Sequence, residues 1–76
     1  MTGYRLGDRL ALQRELSGLT QQQVAERAGL ALSYYRLLEV GKRDQPSLAK
    51  CRALADVFGC SLDYLAGRCD NPRGAA

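Results

Sequence analysis

The chain has 76 residues, of which 46% are hydrophobic and 25% are charged. These values are typical of a folded globular domain and exclude an intrinsically disordered chain. The length allows one small domain and leaves no space for a second domain that senses a ligand or cleaves a substrate. Eleven Lys and Arg against eight Asp and Glu give a net charge of +3, which permits a polyanionic partner without identifying one.

Several function classes are disfavoured by what the sequence lacks. No apolar run exceeds three residues, so we expect no membrane span, no secretory signal and a cytoplasmic protein. Because the chain has no histidine and no Gly-rich phosphate loop, we expect no enzyme, no catalytic residue and no cofactor. The cysteines are too far apart to form a metal clip and are expected to be free thiols, so we expect no metal site; they are Cys51, Cys60 and Cys69.

The first two helices are predicted from their spacing and their end signals. Helix one is expected from Arg5 to Ser17, with one broad face made of Leu6, Leu10, Leu12, Gln13, Arg14 and Leu16. Helix two begins after Thr20, which forms a capping-box pattern with Gln23. It ends at Ala28 and Gly29.

The remaining chain predicts three more helices. Helix three covers about Leu32 to Val40 and buries Tyr35 and Leu38, although Ala31 is a poor N-cap. Ser47 caps helix four, for which we predict an inward stripe of Leu48, Cys51, Leu54, Ala55 and Phe58. Ser61 caps a short helix five. No segment alternates apolar and polar residues as a strand does, so the predicted fold class is all-α. We expect one helix-turn-helix domain over residues 1–67 and a flexible tail over residues 68–76.

Helices two and three are joined by only about three residues around Gly29. A glycine permits the positive φ that so sharp a turn requires. Ala25 is small enough to let the two helices approach, and Leu30 is placed to fill the corner. This is the geometry of a helix-turn-helix, whose second helix projects from the body and can enter the DNA major groove.

Besides this geometry, several spaced motifs in the sequence resemble those of a known family. They are LTQQQVAERAGL (19–30), YYRLLEVGKR (34–43), PSL (46–48), ALA (53–55) and FGCSLDYL (58–65). Together they resemble the Cro/lambda-repressor-like (XRE) helix-turn-helix family over roughly residues 6–67. The resemblance implies a compact five-helix lambda-repressor-like DNA-binding domain. It also implies a sequence-specific transcriptional regulator, expected to be a repressor that inserts helix three into the major groove of double-stranded DNA and is nucleoid-associated when bound.

The resemblance also implies roles for individual residues. The expected phosphate contacts are Thr20, Gln21, Tyr34, Lys42 and Arg43. The expected base contacts are Leu32, Ser33, Arg36 and Leu37. Arg14 and Glu39 are expected to form a structural ion pair. Leucine can contact only a thymine methyl group, so sequence preference is expected to depend on Ser33, Arg36 and DNA shape.

Two expectations concern assembly and one alternative stays open. A homodimer on a two-fold operator is expected, with half-sites about 34 Å apart and a dimer surface made of Phe58, Leu62, Tyr64 and Leu65. An antagonist protein is a further candidate partner, because we expect no sensory domain. In the alternative interpretation, the leucines of helix three form an apolar patch for a protein partner, as in an antitoxin-like or anti-repressor module.

Overall fold

The computed structural model describes residues 6–43 and 46–65. Throughout these two ranges the regular structure is helical, which confirms the all-α prediction. Four helices have two turns or more and a single helical turn follows them: α1 (Leu6–Ser17), α2 (Gln21–Ala28), α3 (Leu32–Val40), α4 (Leu48–Phe58) and the turn α5 (Leu62–Leu65). The predicted fifth helix is therefore reduced to one turn. The predicted start of helix one at Arg5 and the predicted tail lie outside the described residues.

The helix boundaries follow the predicted caps. The Thr20 hydroxyl accepts a hydrogen bond from the Gln23 backbone at 3.1 Å, and the Gln23 side chain accepts one from the Thr20 backbone at 2.9 Å. The Ser47 hydroxyl accepts from the Lys50 backbone at 3.3 Å. Ala31 precedes α3 without any side-chain cap, as its residue type predicts.

The turn between α2 and α3 has the predicted left-handed residue. Gly29 adopts φ 73° and ψ 31°, a conformation that residues with a Cβ rarely adopt. The backbone N–H of Leu30 then donates to the Ala25 carbonyl at 2.8 Å, and the Leu30 side chain packs against the core. Only three residues separate the two helices, so α3 leaves α2 at a sharp turn.

One hydrophobic core joins all five elements. Its buried members are Leu10, Val24, Ala25, Tyr35, Leu38, Leu54, Ala55, Tyr64 and Leu65. Two of them correct the predicted dimer surface, because Tyr64 is only 5% exposed and Leu65 only 2% exposed. Side chains packed into their own chain present almost no area to a second copy. Phe58 and Leu62 stay partly exposed.

The predicted apolar faces of α1 and α4 are too broad. Leu12 and Leu16 are 48% and 72% exposed, and Leu48 at the start of α4 is 63% exposed. At about 3.6 residues per turn, Leu12 and Leu16 lie on the side of α1 away from Leu10. The inward side of α1 is completed by polar residues, because Arg9 is 3% exposed and Gln13 8% exposed.

Arg9 is a buried cation that no pattern in the sequence singles out. Its Nη1 donates to the Tyr64 carbonyl at 3.0 Å, and its guanidinium carbon lies 4.4 Å from the centroid of the Tyr64 ring. A guanidinium can stack on an aromatic face while its N–H groups donate in the plane. Arg9 therefore ties α1 to α5 by stacking and by hydrogen bonding.

Gly7 permits the close approach of α1 to α3. A Cβ added at Gly7 would lie 2.5 Å from the Leu38 carbonyl oxygen and would also overlap the Glu39 carbonyl. Both obstacles are backbone atoms, which cannot rotate away as a side chain can. The first turn of α1 thus packs directly on the last turn of α3.

We predict that Gly7→Ala destabilises the fold although alanine favours helices. Separating α1 from α3 should cost about 1–3 kcal/mol, the usual range for overpacking. Urea unfolding followed by circular dichroism measures this cost. Ser17→Ala, at an exposed position of the same helix, is the control and should change stability by less than about 0.5 kcal/mol. Equal stability of Gly7→Ala and the unsubstituted chain would show that the two helices can shift freely.

Candidate nucleic-acid interface

The outward side of α3 is open to solvent. Tyr35 and Leu38 are fully buried, which directs the opposite side of the helix away from the body. We call that side the outer face of α3; it consists of Ser33, Arg36, Leu37 and Val40. Ser33, Arg36 and Val40 are exposed, and Leu37 is partly exposed. No other element of the described chain covers this face.

One carboxylate joins three helices beside the outer face. Glu39, on α3, accepts hydrogen bonds from Arg14 on α1 at 2.7 Å and 3.3 Å through Nε and Nη2. It also accepts a bond from Nε2 of Gln21, the first residue of α2, at 3.0 Å. Arg14 Nη1 donates in addition to the Leu19 carbonyl at 3.2 Å. The two residues expected to pair are thus in contact, with Gln21 as a third member.

The protonation states suit this arrangement. Burial by itself would raise the pKa of Glu39, but the Arg14 guanidinium and the polar groups of Tyr35 and Gln21 outweigh burial, so the pKa lies below its ordinary value. The hydrogen bond to Glu39 raises the pKa of Arg14 above its ordinary value. Burial first, and then the neighbouring Glu39, raises the pKa of Tyr35 far above its usual range. The Tyr35 hydroxyl itself does not reach hydrogen-bond geometry with any described group.

Gln21 has one hydrogen-bond donor engaged and one available. Its amide nitrogen has two N–H groups, and one of them is directed to Glu39. The other can reach a ligand placed at the start of α2, where the backbone N–H groups already favour an anion. The expected phosphate contact of Gln21 therefore depends on a side chain whose orientation Glu39 restrains.

A second set of polar side chains lies on the flank of the outer face opposite Glu39. The half-buried Tyr34 ring has the Lys50 ammonium 4.6 Å from its centroid and the Arg43 guanidinium carbon 6.0 Å from its centroid. Lys42 is exposed beside Arg43. We call Tyr34, Arg43 and Lys50 the Tyr34 cluster. Lys50 was missed by the sequence analysis, since nothing in the spacing of α4 indicates that its first turn reaches a ring on α3.

The other expected contact residues occupy mixed positions. Leu32 is partly buried and packs against the core, so only part of its side chain faces outward. Thr20 is exposed, and its hydroxyl oxygen already accepts the capping bond. Of the residues that the structure describes, no three His, Cys, Asp or Glu are grouped so that they could hold a metal ion. None of the described helices is long and apolar enough to cross a bilayer.

Comparison with known proteins agrees with this geometry. A family model described as "Helix-turn-helix" matches residues 10–65, which include all of α2 through α5. The chain belongs to the XRE-type helix-turn-helix family.

Relatives in this family and a solved structure are similar over most of the chain. The chain is 34% identical over 64 residues to the cryptic phage CTXphi transcriptional repressor RstR of Vibrio cholerae. It is 38% identical over 64 residues to YobD of Bacillus subtilis, an uncharacterized HTH-type transcriptional regulator. Each match covers 84% of this chain and 56% of the relative, so the chain spans a little over half the length of these relatives.

The solved structure is the N-terminal DNA-binding domain of SinR from Bacillus subtilis. It superposes with a TM-score of 0.79 at 27% identity, covering 83% of this chain and 91% of that domain. The similarity therefore extends beyond the two helices of the motif to the arrangement of nearly the whole SinR domain.

We predict that Arg14 and Glu39 are energetically coupled. Arg14→Met or Glu39→Gln should each cost about 2–3 kcal/mol, less than the most buried pairs, because the Arg14 side chain is still 20% exposed. The double variant should cost clearly less than the sum of the two. Urea unfolding of the four proteins measures the cycle. Glu15→Gln, at an exposed position of α1, serves as the neutral control, and strict additivity would contradict the coupling.

We further predict a loss of stability in acid that depends on Glu39. Its folded-state pKa is lowered from 4.5, so the unfolded chain binds a proton at higher pH than the folded chain does. The stabilisation is therefore present above about pH 4.5 and disappears as pH falls through the folded pKa. Urea midpoints measured between pH 7 and pH 3 should fall less steeply for Glu39→Gln. Parallel curves for the two proteins would contradict this assignment.

Proposed function

We propose that this chain binds double-stranded DNA sequence-specifically as a transcriptional regulator of the repressor type, with α3 lying in the major groove. The observation that supports this most directly is the exposed outer face of α3, with the hydrogen bonds of Glu39 on one flank and the Tyr34 cluster on the other. The function requires no catalytic step, metal or cofactor. The names of RstR and YobD, a repressor and a regulator, support the same proposal.

The two flanking groups match the two strands that border a groove. At about 100° per residue, Tyr34 and Glu39 fall on opposite sides of the outer face. Gln21 is bonded to Glu39 on one side, and Arg43 and Lys50 surround Tyr34 on the other. A helix in the major groove has a phosphate strand on each side. In the proposed complex, Gln21 contacts one strand and the Tyr34 cluster with Lys42 contacts the other.

Direct reading of bases is assigned chiefly to two side chains. Arg36 is exposed on the outer face and can donate two hydrogen bonds to a guanine edge, which discriminates by about 1–3 kcal/mol. Ser33 can bond to several bases. Leu32 and Leu37 can only contact thymine methyl groups or exclude a wrong base by their bulk, so the remaining preference is assigned to DNA shape.

The proposed active form is a homodimer on a two-fold operator. Half-sites about 34 Å apart would let two copies reach successive major grooves on one side of the duplex. Of the four residues expected at the dimer surface, Phe58 and Leu62 remain partly exposed and are assigned to it. Tyr64 and Leu65 instead support this surface from the core.

A protein partner is the second candidate, and one observation favours it. Val40 is 66% exposed on the outer face, next to the partly exposed Leu37, so this part of α3 is apolar. Such a patch fits an apolar partner surface better than a hydrated groove. The two functions differ in whether duplex DNA is retained at moderate salt.

Selection from random duplexes at about 100 mM salt tests the proposed function. We expect recovery of an inverted repeat, which would define both the operator and the symmetry of binding. If no duplex is retained or enriched, the DNA-binding proposal is wrong and the protein-partner interpretation is favoured.

On the selected site, we predict that Arg36→Ala weakens binding by about 5-fold to 150-fold, equivalent to about 1–3 kcal/mol. It should also relax the preference at one base pair of each half-site, because a base contact rather than a phosphate contact is lost. Gel-shift titration against the site and its single-base variants measures both effects. Arg27→Ala, which removes an exposed positive charge from α2, should leave the base preference unchanged. Uniform weakening on all sequences would reassign Arg36 to the phosphates.

A further inference from the structure

Lys50 belongs to no element of the helix-turn-helix, yet it lies beside the outer face of α3. It occupies the first turn of α4 and is exposed. Its ammonium lies 4.6 Å from the centroid of the Tyr34 ring, well inside the range of a cation–π contact. A side chain from α4 therefore extends to the flank of α3, where no spacing rule of the sequence places it.

Two cations converge on this one ring. The Arg43 guanidinium carbon is 6.0 Å from the same centroid, at the outer limit of such contacts. Neither Lys50 nor Arg43 forms an ion pair with a carboxylate of the described residues. Both positive charges therefore lie near the same ring. An arrangement of this kind gains most when a polyanion neutralises it.

The ring also limits the freedom of the lysine. A free lysine side chain has many rotamers and loses most of them when its ammonium is fixed on a ligand. Contact with Tyr34 restricts those rotamers before the ligand arrives, which lowers the entropic cost of binding. Lys50 is thus better prepared to bind a phosphate than an isolated surface lysine.

We propose that Lys50 is a further DNA-positioning residue, held by Tyr34 so that its ammonium neutralises a backbone phosphate on the strand opposite Gln21. This inference rests on the proposed function. It extends the DNA-contacting surface from α2, α3 and the following loop to α4. Because α4 packs on α2, the contact ties the duplex to the scaffold as well as to the reading helix.

The test compares Lys50→Gln with Arg52→Gln, two exposed positions of the same helix that lose the same charge. Binding of each variant to the selected duplex, or to a mixed-sequence 30-bp duplex, is measured from about 50 to 200 mM salt. Lys50→Gln should lower the slope of log K against log salt by about 0.9 and weaken binding about fivefold to tenfold at 100 mM. Its base preference should not change, since phosphate contacts do not read sequence. Arg52→Gln should keep the original slope.

Substitutions of the ring test whether Tyr34 acts through Lys50. Tyr34→Phe keeps an aromatic face and should keep the salt slope, whereas Tyr34→Leu should reduce it. Adding Lys50→Gln to Tyr34→Leu should then have less effect than in the unsubstituted chain. Thermal unfolding of every variant checks that the fold is intact. If Tyr34→Leu does not fold, the comparison of the salt slopes of Tyr34→Phe and Lys50→Gln decides the test.

The outcomes separate this inference from the proposed function. If the unsubstituted chain binds duplex DNA but Lys50→Gln has the same slope as Arg52→Gln, the assignment of Lys50 is wrong and the proposed function stands. If the unsubstituted chain retains no duplex at 50 mM salt, both are wrong. A reduced slope in Lys50→Gln alone supports the assignment.

Discussion

The Glu39 carboxylate holds the end of α3 to two other helices. This side chain receives hydrogen bonds from α1 through Arg14 and from α2 through Gln21. The backbone of the same residue is restrained as well, because its carbonyl lies against Gly7 with no space for a Cβ between them. Both the side chain and the main chain at the end of α3 are therefore held by other helices. A rotation of α3 would break ionic bonds and close packing together.

This constraint explains why a short helix can present a defined surface. A nine-residue helix is marginal on its own in water, and α3 lacks a side-chain N-cap. Its buried side supplies Tyr35 and Leu38 to the core, and Glu39 fixes its rotation about its own axis. The flank near Glu39 is restrained by hydrogen bonds, and the flank near Tyr34 is restrained by the contacts of Lys50 and Arg43 with the ring.

The sequence predicted local features better than it predicted faces. The boundaries of α2 and α3 follow from Thr20, Gln23 and the glycines, because caps act through neighbouring backbone atoms. The exposure of Leu12, Leu16 and Leu48 was predicted wrongly. Periodicity shows which residues share a side, but it does not show which of two apolar sides meets the other helices. The roles of Gly7, Arg9 and Lys50 likewise depend on contacts between distant segments, which no local pattern reports. The contact between Arg14 and Glu39 could be predicted only from the family resemblance.

Under the proposed function, affinity and specificity would be supplied by different residues. Phosphate contacts give affinity without reading sequence, and the outer face offers only Ser33 and Arg36 as polar readers. Much of the preference would then come from how easily a sequence adopts the groove shape that brings both strands to their contacts. Such readout requires contacts at a fixed separation, because groups that moved freely would accept any groove width. The Glu39 network on one flank and the Tyr34 ring on the other restrict that separation. Residues that never touch a base would therefore contribute to the choice of operator.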